Sequence, residues 1–250
     1  MFSENKLEFK NKKEAENPSK NYIQTCLLDE NWENGASAKA IKEIVKEGQQ
    51  VTFVSRKGDE DGIISNINER SKYSFNFYDC IGIVACGESR LSGKPNSFLA
   101  HLSGTEYFKE RNTSIYDPER ILKELQRRTS RLIESSKEKT TDIVIFGGFV
   151  DKKDRDRGVF GTLRAYKNTI NFLRESFSEF KGLDPIILMG PRDHLIFDDR
   201  TDIYFDTLKR RLYVYRKGMD AELNTRLWSW KLSEADKLLE EIEKESKDKE

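Results

Sequence analysis

The segment DCIGIVACGESRLSGKPNSFLAHL, residues 79–102, decides the fold because it has the pattern of one β-hairpin. Residues 79–86 form a β-prone run rich in branched and small apolar side chains. Residues 87–96 form a cluster of turn residues, and residues 97–102 form a second apolar run. The sequence therefore predicts two antiparallel strands joined by a loop.

This hairpin would bring a cysteine and a histidine together. The midpoint between Cys80 and His101 falls between Arg90 and Leu91, inside the loop, so the two residues would lie nearly opposite each other on one face. Opposed Cβ atoms are roughly 4.5–5.5 Å apart, a distance at which an imidazole can reach a thiol. A thiol beside a base is the minimal apparatus for nucleophilic catalysis, because the base generates the attacking thiolate.

A structural interpretation of the same pair stays open at this point. Free cysteines are among the most buried residue types and usually only pack, and a histidine in a hairpin can be a hydrogen-bonded core residue. The prediction also depends on register, since a slip of one residue would put Cys80 and His101 on opposite faces.

The run FLAHLSGT, residues 98–105, preceded by a cysteine in the upstream strand, resembles the catalytic hairpin of a deamidase superfamily. That superfamily includes CheD-type chemoreceptor glutamine deamidases, cytotoxic-necrotizing-factor toxins and protein N-terminal asparagine amidohydrolases. In these families the cysteine is the nucleophile and the histidine is the base. The resemblance implies these roles for Cys80 and His101.

The order of the later elements is similar to that family as well. The resemblance implies an α+β fold, a curved β-sandwich flanked by helices, with the catalytic Cys and His on adjacent antiparallel strands. It extends over roughly residues 51–216 and includes the strand and Gly-Gly turn at 142–149, a helix at 162–180, a strand at 185–189, and a pair of strands near 203–205 and 211–215.

A third site residue follows from the resemblance. CheD-type proteins have a threonine six positions before the nucleophile, and Ser74 occupies that position here, so a hydroxyl is retained that could orient His101. In the toxins a backbone carbonyl supports the histidine instead, which would make Ser74 incidental. The chain departs from the CheD pattern at Tyr78 and Asp79, where that family has small residues.

Other cysteines and histidines carry weaker hypotheses. Cys86 has the same strand parity as Cys80 and is expected to be a core residue rather than a nucleophile. His194 lies beside Asp198 and Asp199, where a surface turn is favoured over a metal site. The chain has three Cys without CxxC spacing, which indicates neither a disulfide framework nor a zinc site.

Composition bounds the function. The charged fraction is 35%, and 44 basic residues balance 44 acidic ones. This neutrality argues against nucleic acid or an anionic membrane as the main partner. The absence of a long apolar run predicts no membrane span and a cytoplasmic protein. A Glu-rich C-terminus leaves open export into a host cell by a system other than Sec, as in bacterial effectors.

The sequence also suggests a domain division. Residues 1–20 are polar and predict a flexible tail, residues 21–230 would form the deamidase-like domain, and residues 231–250 would form a C-terminal helix with a charged end.

The predicted function is that of a cysteine-dependent amidohydrolase. It would deamidate a glutamine side chain, less readily an asparagine side chain, in a protein substrate, and it would need no cofactor. Two alternatives stay open: a transglutaminase, in which an amine replaces water, and a non-catalytic binding module with the same fold. The bulky Tyr78-Asp79 pair before Cys80 favours the binding module.

Overall fold

The computed structural model describes residues 23–28, 51–54, 63–77, 80–103, 118–147, 167, 170–189, 200–217, 228–237 and 239–240. The strands among them, in chain order, are β1 Gln24–Leu28, β2 Val51–Phe53, β3 Ser71–Phe77, β4 Cys80–Glu88, β5 Pro95–Ser103, β6 Asp142–Gly147, β7 Ile186–Met189, β8 Arg200–Asp206, β9 Arg211–Lys217 and β10 Trp228–Lys231. Helix α1 is Pro118–Ser135, residues 170–177 are also helical, and a 3-10 turn covers Leu232–Glu234.

The strands form two sheets of five, each with both parallel and antiparallel neighbours. Sheet 1 has the order β1-β9-β8-β3-β2, and sheet 2 has the order β10-β7-β6-β4-β5. In sheet 1 the pairs β1/β9 and β2/β3 are parallel, and in sheet 2 the pair β6/β7 is parallel. The predicted α+β class is therefore confirmed.

Sheet 2 carries apolar side chains on both faces, as its interior strand β4 illustrates. Cys80, Val84 and Cys86 point toward sheet 1 and pack with residues of that sheet such as Val214 and Phe205; we call this the inter-sheet core. The alternate residues of β4 point to the other face, where they pack with the helices in the helix-side core. A strand buried on both faces reads as a continuous apolar run, which explains the run at 79–86.

The helices bury the stripes that their periodicity predicts. In α1 the side chains of Ile121, Leu125 and Leu132 are buried in the helix-side core. Residues Ile170 and Leu173 of the second helical segment join the same core. None of the helices among the described residues has a stretch long and apolar enough to cross a membrane.

The hairpin at 79–102 is present, but its register differs from the expected one. Cys80 is opposite Ser103, and the residue opposite His101 is Gly82. The strands continue to Glu88 and Pro95, so the loop is shorter than the cluster of turn residues suggested. The expected direct pairing of Cys80 with His101 is therefore wrong by two residues, and because the shift is even the two side chains keep a common face.

The segment after residue 62 looks like a strand in the sequence, but it only makes isolated bridges beside β5. Ile64 pairs with Ala100, and the His101 N–H donates to the Ile63 carbonyl at 2.9 Å. These contacts occupy the free edge of sheet 2. They also fix the backbone of β5 at the histidine.

Beyond the last strand the chain packs onto the helix-side core through Leu232 and Ala235. Ser233 of the 3-10 turn donates its hydroxyl to the Asp184 carboxylate at 2.7 Å. The proposed tail at 1–20 lies outside the described residues, as do His194, Asp198 and Asp199.

Candidate active site

The three sequence-predicted site residues come from three strands and meet at one end of the inter-sheet core. Cys80 is the first residue of β4, His101 lies near the end of β5, and Ser74 lies on β3 of the opposite sheet. Their exposed fractions are 0%, 2% and 0%. The structure therefore brings all three together in a site closed off from solvent.

The even spacing of inward residues explains how β3 contributes its hydroxyl. Lys72 and Ser74 are both fully buried, whereas the next residue, Phe75, is exposed. The β3/β8 register shifts between Ser74 and Phe77, so the strand has a bulge there. A bulge changes which residues face a given side, and it lets Phe77 join Ser74 on the inward face.

Cys80 and His101 are diagonal neighbours on the inward face of the β4/β5 pair. Gly82 is directly opposite His101, and Cys80 is two residues before Gly82 on the same face. Diagonal positions are about 7–8 Å apart, a separation that long or aromatic side chains can bridge. Gly82 has no side chain, and the Phe146 ring occupies the space that its Cβ would take.

A hydrogen-bonded chain fixes the imidazole of His101. The Ser74 Oγ lies 2.7 Å from His101 Nδ1 and 2.5 Å from the Val54 carbonyl oxygen. The carbonyl can only accept, so the single hydroxyl proton of Ser74 goes to Val54. Ser74 Oγ must then accept a hydrogen bond from Nδ1–H. In a neutral imidazole this leaves the lone pair on Nε2.

One phenylalanine stacks on the face of the imidazole ring, and a second packs against the first. The Phe77 ring stacks on the His101 ring with centroids 3.9 Å apart and an interplanar angle of 20°. The edge of Phe146 meets Phe77 at 5.0 Å and 72°. A Cβ at Gly82 would lie 2.0 Å from the Phe146 ring, so only glycine leaves room for that ring.

The contacts at this end thus have one consequence for chemistry. The His101 ring is fixed by a hydrogen bond at Nδ1 and by a stacked ring, and its basic nitrogen Nε2 is buried on the face it shares with Cys80. A thiol and a correctly protonated imidazole on one buried face can exchange a proton without competition from bulk water.

Cys86 is the second cysteine of the same face, and its surroundings differ. Burial raises the pKa of its thiol to about 12. This places Cys86 as a neutral core thiol, as expected from the sequence. Among the described residues, no group of three or more His, Cys, Asp or Glu side chains could hold a metal ion.

Sequence reasoning missed four contributors to the site: Val54, Phe77, Gly82 and Phe146. Val54 acts through its backbone carbonyl, which any residue would supply, so it left no signal. Gly82 did leave one, because a glycine inside an apolar strand often marks the close approach of another group.

No protein-family model matches the chain, and no curated protein matches it significantly. The resemblance to the CheD-type deamidase superfamily therefore stays a prediction, and the functional argument rests on the geometry of the site.

Proposed function

We propose that this protein is a cysteine-dependent amidohydrolase that deamidates a glutamine side chain in a protein substrate. The observation that carries the proposal is the hydrogen-bonded chain from Val54 through Ser74 to His101 Nδ1, with Cys80 on the same buried face. Nucleophile, base and orienting group are the three parts of such a site.

In the first half of the proposed reaction, His101 Nε2 removes the Cys80 Sγ proton and the thiolate attacks the carboxamide carbon. The Ser74 hydroxyl stabilises the imidazolium that forms, because it accepts the Nδ1–H hydrogen bond. The imidazolium then protonates the departing nitrogen, so the C–N bond breaks, ammonia leaves and a thioester remains. We expect a backbone N–H near Cys80 to stabilise the oxyanion.

In the second half, water replaces ammonia. His101 Nε2 takes a proton from water, the hydroxide attacks the thioester carbonyl, and the C–S bond breaks. The proton returns to the Cys80 thiolate and the product is a side-chain carboxylic acid. The net change is amide plus water to acid plus ammonia, and it requires no cofactor.

Within this proposal the fold is a deamidase-type β-sandwich whose catalytic residues lie on adjacent antiparallel strands. The group that orients His101 combines the two alternatives that the resemblance left open, a side-chain hydroxyl and a backbone carbonyl. Ser74 supplies the hydroxyl of the CheD type, and Val54 supplies a backbone carbonyl as in the toxins, one hydrogen bond farther from the histidine.

The direct test is substrate trapping. Cys80→Ala protein, immobilised and incubated with candidate proteins, should retain a partner in which the wild-type enzyme converts a glutamine to glutamate, detected by peptide mass spectrometry with release of ammonia. Cys86→Ala is the matched control, since it removes the other thiol of β4 and should leave turnover intact. Conversion by Cys80→Ala protein would contradict the proposal.

The complete burial of the thiol and imidazole favours one alternative, a binding module that retains the site as part of its core. In that case Cys80→Ala would bind partners without any wild-type conversion. The remaining alternative is a transglutaminase. Adding a primary amine distinguishes it from a deamidase, because a transglutaminase would couple the amine to the glutamine.

A further inference from the structure

We propose that Phe77 is a positioning residue for the base, and that the face of its ring stabilises the imidazolium of His101 after proton transfer from Cys80. This inference rests on the proposed function, since it concerns the same thiol and imidazole. It adds a residue whose part in the chemistry is electrostatic rather than a hydrogen bond.

The stacking geometry supports this role. The Phe77 and His101 centroids are 3.9 Å apart, and the small interplanar angle of 20° puts the imidazole over the face of the phenyl ring. An aromatic face carries negative quadrupole potential and attracts a cation within about 6 Å of the centroid. The contact is fully buried, where this attraction is least screened by water.

Phe77 is itself held in place for stacking. Its ring meets the edge of Phe146, and Phe146 fits over Gly82, which is directly opposite His101. The bulge after Ser74 turns Phe77 inward so that the same strand supplies both the hydrogen-bond acceptor and the stacked ring. The imidazole is therefore bound at its Nδ1 edge and on one face by adjacent parts of β3.

Among the described residues, other titratable or charged side chains on the inward faces of β3 and β4 do not supply the stabilisation that we assign to the Phe77 ring. From β4 the titratable group is Cys80, the proton donor itself. From β3 the charged group on the inward face is Lys72, one step beyond Ser74. Its ammonium donates to Asn68 Oδ1 at 2.6 Å and to the Arg70 carbonyl at 2.5 Å.

The rate of thiol alkylation measures how much of Cys80 is present as the thiolate of an imidazolium–thiolate pair. Cys80 is buried, so iodoacetamide must reach it through local opening of the site; in the wild type the reagent should then label Cys80 at pH 6–7. Phe77→Leu should lower that rate about tenfold, because a less stable imidazolium shifts the pair toward neutral thiol and imidazole. At alkaline pH hydroxide can remove the thiol proton in place of His101, so the difference between the variant and the wild type should narrow as pH rises.

The conservative variant Phe77→Tyr restores an aromatic face and should recover most of the rate at pH 6–7. Phe205→Leu is the matched control, since Phe205 is a buried phenylalanine of the same inter-sheet core and lies opposite Lys72 rather than beside the histidine. It should lose stability without changing the pH profile. If Phe77→Leu does not fold, Phe146→Leu, which removes only the buttress, should give a smaller shift in the same direction.

The outcomes separate this inference from the proposed function. Wild-type Cys80 that resists alkylation at pH 6–7 would overturn the proposed function. A reactive wild-type thiol with an unchanged profile in Phe77→Leu would overturn the inference alone. A rate lowered equally at every pH, or not recovered in Phe77→Tyr, would show a packing role and would also overturn it.

Discussion

Cys80 and Cys86 lie at two ends of the inter-sheet core, and the two ends differ. Both lie on the inward face of β4, both are fully buried, and they are six residues apart. At the first end the neighbour is His101, whose imidazole is oriented by Ser74. At the second end the neighbours are the charged side chains of Arg210 and Asp142.

The charged groups at the second end are engaged by the backbone. The Arg210 guanidinium donates to the Thr140 carbonyl at 2.8 Å and to the Cys86 carbonyl at 3.4 Å. The Asp142 carboxylate accepts the N–H groups of Ile23 at 2.7 Å and Ile143 at 2.9 Å. Burial nevertheless raises the pKa of that carboxyl group above its ordinary value.

The comparison shows that burial and strand position do not decide whether a cysteine can react. For the Cys86 thiol, burial outweighs the opposing effect of the positively charged Arg210 and Lys72, and it stays protonated. In the proposed function Cys80 differs, because His101 is the base that receives its proton. The expectation follows that changes at the first end alter chemistry, whereas changes at the second end alter stability.

The largest effect is expected at the first end. Cys80→Ser and His101→Ala should each lower ammonia release by at least about 10³-fold, because each removes the nucleophile or its base. Ammonia release from the trapped substrate is the measurement, with circular dichroism to show that each variant is folded. Near-wild-type turnover in either variant would make the deamidase proposal wrong.

The next effect is expected at the second end. Arg210→Leu should lower the free energy of unfolding by about 3 kcal/mol, because it removes buried hydrogen bonds to two carbonyls and leaves the Asp142 carboxyl without its nearby cation. Urea unfolding gives the loss, and turnover measured where the variant is folded should be unchanged. Reduced turnover with unchanged stability would reverse the roles of the two ends.

A smaller effect on turnover is expected from the orienting hydroxyl. Ser74→Ala should lower turnover on the order of 10–100-fold, since orienting a base is worth less than supplying it. Ser74→Thr keeps the hydroxyl and should preserve most activity. An unchanged rate in Ser74→Ala, beside an inactive His101→Ala, would transfer the orienting role to another acceptor such as a backbone carbonyl.

The smallest effect is a pH dependence of stability from Cys86. Its pKa is raised in the folded state, so its contribution is complete below about pH 9 and is lost as pH rises toward 12. At pH 10 the loss should be about 1.4 kcal/mol relative to pH 7.5. Urea titrations should show this alkaline loss reduced in Cys86→Ala; an identical loss in the variant would mean that Cys86 does not titrate as the structure indicates.

The hairpin and the common face of its cysteine and histidine could be predicted from residues 79–102, but the register could not. The sequence predicts Gly87 as a turn residue, yet it pairs with Asn96 inside the strands. It is a glycine because a Cβ there would lie 2.2 Å from the Ser136 hydroxyl. The close approach of Ser136, just after the end of α1, is a tertiary contact that the local sequence does not reveal.

The support for the histidine was even less accessible to the sequence. The sequence points to Ser74 only through the resemblance. Its hydrogen bond to His101 joins the two sheets across residues 27 positions apart. The bulge that turns Phe77 inward breaks the alternation that Tyr73 and Phe75 establish, so periodicity would have assigned Phe77 to the outer face.

The central claim is that Cys80, and not Cys86, has a base to take its proton, and one labelling experiment compares them directly. Native protein is treated with iodoacetamide at pH 6.5 and each cysteine is quantified by peptide mass spectrometry, with urea-unfolded protein as the reference for equal reactivity. The account predicts that Cys80 is labelled more than about tenfold faster than Cys86 and that His101→Ala abolishes the difference. Equal resistance of both thiols in the native protein would contradict it.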